Sequence, residues 1–211
     1  MRGRVAICAV SALLGLLTAG SRAQSFSADV IYNPPKPRDA SSRPRPPSAG
    51  SKLYVSADKM RLESRGLSQT VMLADFERHT STAIFPAQKA YQELASGPPQ
   101  YFQVADADNA CPDWQKTLGQ EITCEKVGNE LVAGRKAVKY LNKAAAASGS
   151  TASIWIDATL KFVIKWEDAE GGAELHNIQE GSQAADLFVV PPGYDVLKPQ
   201  KKGHWNSKTP K

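Results

Sequence analysis

The residues with the clearest capacity for acid–base chemistry lie on one short stretch late in the chain. Glu174, His176 and Glu180 have the same parity, so an extended strand would place their side chains on one face. A carboxylate beside an imidazole can transfer protons. Alternating polar residues are also typical of the solvent-facing side of a strand, and we favour this interpretation. The sequence has no G-x-S-x-G motif that would position a serine nucleophile. We therefore predict that the protein is not an enzyme and has no catalytic residue.

Cysteine is the second residue type that could carry chemistry. Of the three cysteines, Cys8 lies in the N-terminal apolar run, whereas Cys111 and Cys124 lie in the body of the chain. An oxidising compartment favours a disulfide between Cys111 and Cys124, which would stabilise the fold by roughly 3 kcal/mol. Zinc is the alternative, but the three histidines are widely scattered along the sequence. We therefore predict a disulfide, no metal and no cofactor.

The N-terminus predicts export. Arg2 and Arg4 precede an apolar run from Val5 to Leu17, and small residues ending in Ser21-Arg22-Ala23 follow it. This order is typical of a secretory signal peptide, with cleavage after Ala23. A transmembrane anchor is the alternative, but the run is shorter than the ~20 residues of a spanning helix. We expect a secreted or periplasmic protein whose mature chain has no transmembrane anchor.

The charge distribution separates the folded body from its appendages. The formal net charge is +5, yet residues 52–197 carry 14 basic and 19 acidic residues. Positive charge is concentrated in the signal peptide, in a segment at 33–51 with six prolines, and in a lysine-rich tail. A nucleic-acid-binding domain would carry its positive surface on the fold, so we expect no nucleic-acid partner. We predict a signal peptide at 1–23, a single domain at 24–197 with a Pro/Arg-rich inserted loop at 33–51, and a disordered tail at 198–211.

The stretch Thr151–Glu167 organises the predicted fold. It contains two alternating apolar runs separated by a turn at 157–159, which is the pattern of a β-hairpin. We expect Asp157 to cap this turn. In the second run four apolar side chains share one face, namely Leu160, Phe162, Ile164 and Trp166. This apolar face has to be covered by the rest of the chain.

Short alternating runs fill most of the remaining sequence. A strand at 25–32, a hairpin at 52–64 and further runs to residue 94 form a β-meander, and two runs at 125–132 and 135–142 turn about Ala133-Gly134. Residues 100–118 lack alternation and contain Trp114, which predicts one or two short helices. The sequence therefore predicts a mainly β protein of roughly eleven strands with a short helical insertion.

Three phrases of the sequence, together with the meander and the signal peptide, resemble the LolA-like superfamily. They are Lys52-Leu53-Tyr54-Val55 to Met60-Arg61-Leu62-Glu63, Trp155-Ile156-Asp157, and the ending from Phe188 to Tyr194. The superfamily contains outer-membrane lipoprotein carriers and uncharacterised secreted bacterial families, and the chain resembles the latter branch. The resemblance implies a strongly curved antiparallel sheet, an unclosed half barrel with the helical insertion on its concave side. In the carriers this interior holds acyl chains.

The apolar row of the hairpin is the candidate lining of a ligand cavity. Its members are the aromatic residues Trp155, Phe162 and Trp166 and the aliphatic residues Leu160 and Ile164. Core packing is the alternative, because a sheet face has to be buried whether or not a ligand exists. We predict a non-enzymatic protein that binds a lipid-like ligand, or an apolar segment of an envelope partner, in the curved sheet. The alternative is a structural or interaction protein of the cell envelope with a dry core, whose basic loop and tail bind anionic polymers or lipid headgroups.

Overall fold

The structure is a computed structural model that describes residues 25–35, 48–65, 69–95, 102–118, 122–144 and 151–197. The predicted signal peptide, the lysine-rich tail and residues 36–47 of the Pro/Arg-rich loop lie outside these ranges. The first strand extends to Asn33 and the second begins at Ser48, so the connection between them is shorter than the predicted insertion at 33–51.

Twelve strands form one sheet in the described part of the chain. They are β1 (Phe26–Asn33), β2 (Ser48–Ser56), β3 (Lys59–Ser64), β4 (Val71–Asp75), β5 (Thr80–Phe85), β6 (Ala90–Leu94), β7 (Ile122–Val132), β8 (Arg135–Ala144), β9 (Thr151–Asp157), β10 (Val163–Asp168), β11 (Gly171–Glu180) and β12 (Asp195–Val196). The strand order is β12-β6-β5-β4-β3-β2-β1-β11-β10-β9-β8-β7. Every neighbouring pair is antiparallel except β12 with β6, which is parallel.

The predicted fold class is confirmed: the protein is mainly β, and its curved sheet does not close into a barrel. The helical insertion contributes one α-helix, α1 (Cys111–Leu118), to the described residues. Short three-ten helices lie at Pro86–Gln88 and Ala185–Phe188. The second of these ends at Phe188, the first residue of the terminal phrase from Phe188 to Tyr194.

Among the described residues, three apolar clusters hold the sheet together. The largest contains alternate residues of the central strands, such as Phe26, Ala28 and Val30 of β1. A second lies under the helical insertion, where Trp114 of α1 meets Tyr140 of β8 edge to face, with 5.3 Å between ring centroids. The Tyr140 hydroxyl donates to the Ala107 carbonyl at 2.8 Å and accepts the Ala110 N–H at 3.3 Å. These contacts fix the insertion against one face of the sheet, which we call the inner face and which carries Tyr140, Ile156 and Val163.

The third cluster lies under the C-terminal segment. Val71 and Leu73 of β4 and Ile84 of β5 pack with Val190 and Tyr194. The segment then reaches the sheet edge, where β12 adds to β6. The terminal phrase from Phe188 to Tyr194 therefore covers part of the sheet face opposite α1.

The prediction that four residues of the hairpin share one face is wrong. Val163 pairs with Ile156 and Trp166 pairs with Ile154, but Lys165 pairs with Trp155, so Ile164 is an extra residue in β10. Such a bulge reverses the alternation beyond it. Trp166 therefore shares a face with Val163 instead of with Ile164.

The turn of the hairpin is longer than predicted, because β10 begins at Val163 and residues 158–162 form the connection. The predicted capping role of Asp157 is confirmed. Its side chain accepts the backbone N–H groups of Thr159 at 2.8 Å and Leu160 at 2.7 Å. It also pairs with the Arg135 guanidinium. A buried carboxylate thus organises the loop that carries Phe162.

Candidate functional site

The inner face of the sheet contains an apolar cavity of about 110 Å³. We call it the inner cavity; ten residues line it, namely Val30, Tyr32, Leu53, Met60, Leu62, Phe102, Phe162, Val163, Trp166 and Leu175. None of the ten is charged. Alternation in β1, β2, β3 and β11 supplies the aliphatic wall, because every second side chain of a strand points to the same face.

Three aromatic rings form the other wall of the inner cavity. Phe102 stacks on Phe162 with 5.9 Å between ring centroids and meets Trp166 edge to face at 5.8 Å. Phe162 in turn meets Phe26 edge to face at 5.1 Å. Tyr32, Leu62, Phe102 and Trp166 are only half-buried, so they mark the side on which the cavity approaches solvent.

Residues 102–104 precede α1, are not part of a named strand, and hold the aromatic wall in place. Gln103 forms an isolated antiparallel bridge with Phe162, and the Val104 N–H donates to the Lys161 carbonyl at 3.0 Å. The Gln103 side-chain amide donates to the Ala57 carbonyl in the β2–β3 turn at 3.1 Å. The start of the insertion therefore spans the sheet from the β9–β10 loop to the β2–β3 hairpin.

The structure divides the five residues predicted to line a cavity. Phe162 and Trp166 line the inner cavity. Leu160 and Ile164 are buried in the largest cluster and do not border it. Trp155 is also buried and lies on the opposite face from Ile154 and Ile156, because neighbouring residues of β9 alternate. The β10 bulge is the reason that Ile164 and Trp166 separate.

Trp155 lies in a polar frame of its own. Its indole N–H donates to Glu130 at 2.6 Å, and the ammonium groups of Lys139 and Lys165 each lie 4.8 Å from its ring centroid. Cation–π contacts of this kind favour a fixed ring. The hydrogen bond from Trp155, followed by that from Lys139, lowers the pKa of Glu130. These groups therefore hydrogen-bond and neutralise one another.

The acid–base candidates are part of this polar face. Glu174 contacts both His176 at 3.0 Å and Lys165 at 3.2 Å. Burial acts to lower the pKa of Lys165, but its hydrogen bonds to Glu167 and Glu174 outweigh that effect and raise it. Glu180 instead pairs with Arg135 at 2.7 Å. The register of β11 against β1 shifts at a bulge at Asn177. This bulge separates Glu180 from Glu174 and His176, the two residues predicted to share its face.

The predicted bridge between Cys111 and Cys124 is present, with 5.6 Å between the Cα atoms. It joins the first residue of α1 to β7, so it ties the insertion to the sheet beside Trp114. Among the described residues, no group of three or more histidine, cysteine or acidic side chains is placed to hold a metal. No helix within those ranges is long and apolar enough to span a membrane.

We expect replacement of both cysteines by alanine to lower the free energy of unfolding by about 3 kcal/mol, because the unfolded chain regains the freedom that the bridge removes. Denaturant unfolding of this variant beside the parent protein measures the loss. In the unreduced, denatured parent protein a thiol reagent should label no cysteine in the body of the chain. Two reactive thiols there would contradict the assignment.

Most of the cavity residues lie outside the predicted row and come from other parts of the chain. Val30, Tyr32, Leu53 and Met60 lie at alternate positions that indicate a common buried face, but alternation does not show which part of that face remains unfilled. Phe102 lies in the stretch without alternation, so no periodic signal identifies it. Its position depends on the contacts of the two residues that follow it.

No known protein family and no curated protein matches the chain at the sequence level. Solved structures resemble it at low sequence identity. The structure of PNGF-II matches with a TM-score of 0.50 at 10% identity, over 82% of this chain and 30% of that one. The MucA/MucB complex of Pseudomonas aeruginosa gives a TM-score of 0.49 at 15% identity, over 81% of this chain and 57% of that one. An uncharacterized conserved protein from Thermus thermophilus gives a TM-score of 0.49 at 9% identity, over 83% of this chain and 90% of that one.

The unclosed, mostly antiparallel sheet agrees with the architecture that the resemblance to the LolA-like superfamily implied. At 10% identity, the likeness to PNGF-II concerns the fold alone. The chain spans less than two thirds of the first two structures, so it corresponds to one part of those longer chains.

Proposed function

We propose that this is an exported, non-enzymatic protein that binds a short apolar group in the inner cavity. The observation that carries the proposal is a cavity on the inner face of the sheet whose lining is entirely uncharged, aliphatic and aromatic. Apolar concave sites of this kind are the usual form of small-molecule and side-chain binding sites. Core packing alone would leave few voids of this size.

The volume of the cavity limits its occupant. An engineered apolar cavity of about 150 Å³ takes one benzene ring. The inner cavity, at about 110 Å³, is smaller. It fits the end of an acyl chain or one branched aliphatic side chain, while the remainder of a longer ligand would lie outside. Lipid and protein partners share this chemistry, because each can present a short hydrocarbon group.

Native mass spectrometry of the protein purified from its own cell envelope tests the proposal. We expect a non-covalent adduct in the parent protein that is lost in a Leu62→Trp variant, whose indole fills the cavity. A bare mass for the parent protein under conditions that preserve non-covalent complexes would contradict binding and favour the dry-core alternative. An adduct retained equally by the variant would place binding elsewhere on the chain.

Export is the second part of the proposal and rests on the first 23 residues and on the disulfide, which is typical of oxidising compartments. We expect the mature protein to begin at Gln24, after cleavage behind Ala23. Sequencing the N-terminus of protein recovered from the envelope or the medium checks this. Mature protein that still begins with Met1 would contradict it.

A further inference from the structure

We propose that the free edge of β7 is a docking site for an extended segment of a partner protein that carries an aliphatic and an acidic side chain. The two edges of the sheet differ. At one edge β12 covers β6, where the Asp195 N–H donates to the Lys89 carbonyl at 2.9 Å and the Leu197 N–H to the Tyr91 carbonyl at 2.7 Å. At the other edge β7 pairs with β8 alone among the described strands.

The β7 edge has two features that protect strand edges, charged residues at Glu125, Lys126 and Glu130 and a bulge between Lys126 and Gly128, but it also exposes apolar side chains. It has eleven residues, and Val127 and Leu131 are large apolar side chains that are 49% and 73% exposed. Natural edge strands are usually short, charged or covered, because their unpaired main-chain groups attract other strands. An eleven-residue edge that no described strand covers, with two exposed apolar side chains, therefore indicates a surface used for strand addition.

A groove of about 440 Å³ accompanies this edge. Asn129 and Leu131 of β7 line it together with Val138 and Lys136 of β8, which lie directly opposite them in the ladder. Opposed residues point to the same side of the sheet. A strand added to β7 could hence form main-chain hydrogen bonds and place an aliphatic side chain beside Leu131.

The charges of the groove select the partner. Asp108 is neutralised by Lys126 at 2.8 Å, and Glu130 by Lys139 at 3.0 Å. Lys136 is exposed and forms no ion pair with a described residue. The uncompensated charge beside Leu131 is therefore positive, which favours an acidic side chain on the incoming strand.

Two labelled synthetic peptides test the proposal on the full mature chain. Each alternates threonine with valine over seven residues beginning with threonine, and glutamate replaces the central valine in one and lysine replaces it in the other, so that the charge and the valines share a face. We expect the glutamate peptide to bind the parent protein more tightly. Leu131→Asp should weaken its binding at least tenfold, and Lys136→Glu should reverse the preference between the peptides. Val196→Asp changes a valine of similar exposure at the covered edge and should leave binding unchanged.

Three outcomes would overturn the proposal. Neither peptide binds the parent protein, or Val196→Asp weakens binding as much as Leu131→Asp does, or Lys136→Glu leaves the charge preference unaltered. Sedimentation of the protein alone adds a fourth outcome. A concentration-dependent dimer that Leu131→Asp abolishes would identify a second copy of the chain as the occupant and also overturn the partner assignment.

Discussion

Replacement of Phe162 by alanine is expected to lower the free energy of unfolding by about 3–5 kcal/mol, the range of a fully packed aromatic side chain. Phe162 is 2% exposed and contacts the rings of both Phe26 and Phe102. Its removal enlarges the inner cavity and also takes away the support on which Phe102 stacks. Denaturant unfolding of the variant measures the loss.

Leu131→Ala is the matched control, since its side chain is 73% exposed and its truncation should change stability by less than about 0.5 kcal/mol. A loss below about 1.5 kcal/mol for Phe162→Ala would show that the aromatic wall is loosely packed. The cavity would then be larger in solution than in the structure.

Replacement of Asp157 by alanine is the second large effect, with an expected loss of about 3 kcal/mol. Removing one partner of a buried ion pair costs ~3–5 kcal/mol, because the other charge is left uncompensated. The Arg135 side chain is 24% exposed and retains Glu180, which places the loss at the lower end of that range. The backbone N–H groups of Thr159 and Leu160 lose their acceptor at the same time.

Asp157→Asn separates these contributions, because an amide oxygen still accepts the two N–H groups but no longer neutralises the guanidinium. We expect about half of the loss seen with alanine. Equal losses for the two variants would show that the ion pair dominates. A loss below about 1 kcal/mol with alanine would contradict the role of Asp157 in organising the loop.

The strands with clear alternation were predictable, and so was the face of each strand that is buried. Leu53 and Met60 illustrate this, since both follow the period of a half-buried hairpin and both line the inner cavity. The resemblance in the same hairpin implied the unclosed sheet. The disulfide followed from export and an even cysteine count in the body.

The predictions that were wrong concern features that leave no periodic pattern in the sequence. A bulge adds one residue without a sequence marker, so Ile164 and Trp166 were assigned to one face and lie on two. Phe102 precedes the helix in an irregular stretch, and its place against Phe162 is determined by tertiary hydrogen bonds of its neighbours. Whether a buried face is filled or leaves a cavity depends on side-chain volumes across several strands, which no single strand reveals.

Methyl-resolved NMR during titration with sodium octanoate, below its micellar concentration, tests the central claim most directly. We expect the methyl signals of Val30, Leu53 and Leu175 to shift, while those of the exposed Val127 and Val189 do not. The Leu62→Trp variant should remain folded and lose the response. Unchanged cavity signals in the parent protein, or equal shifts in Leu62→Trp, would contradict binding of an apolar group in the inner cavity.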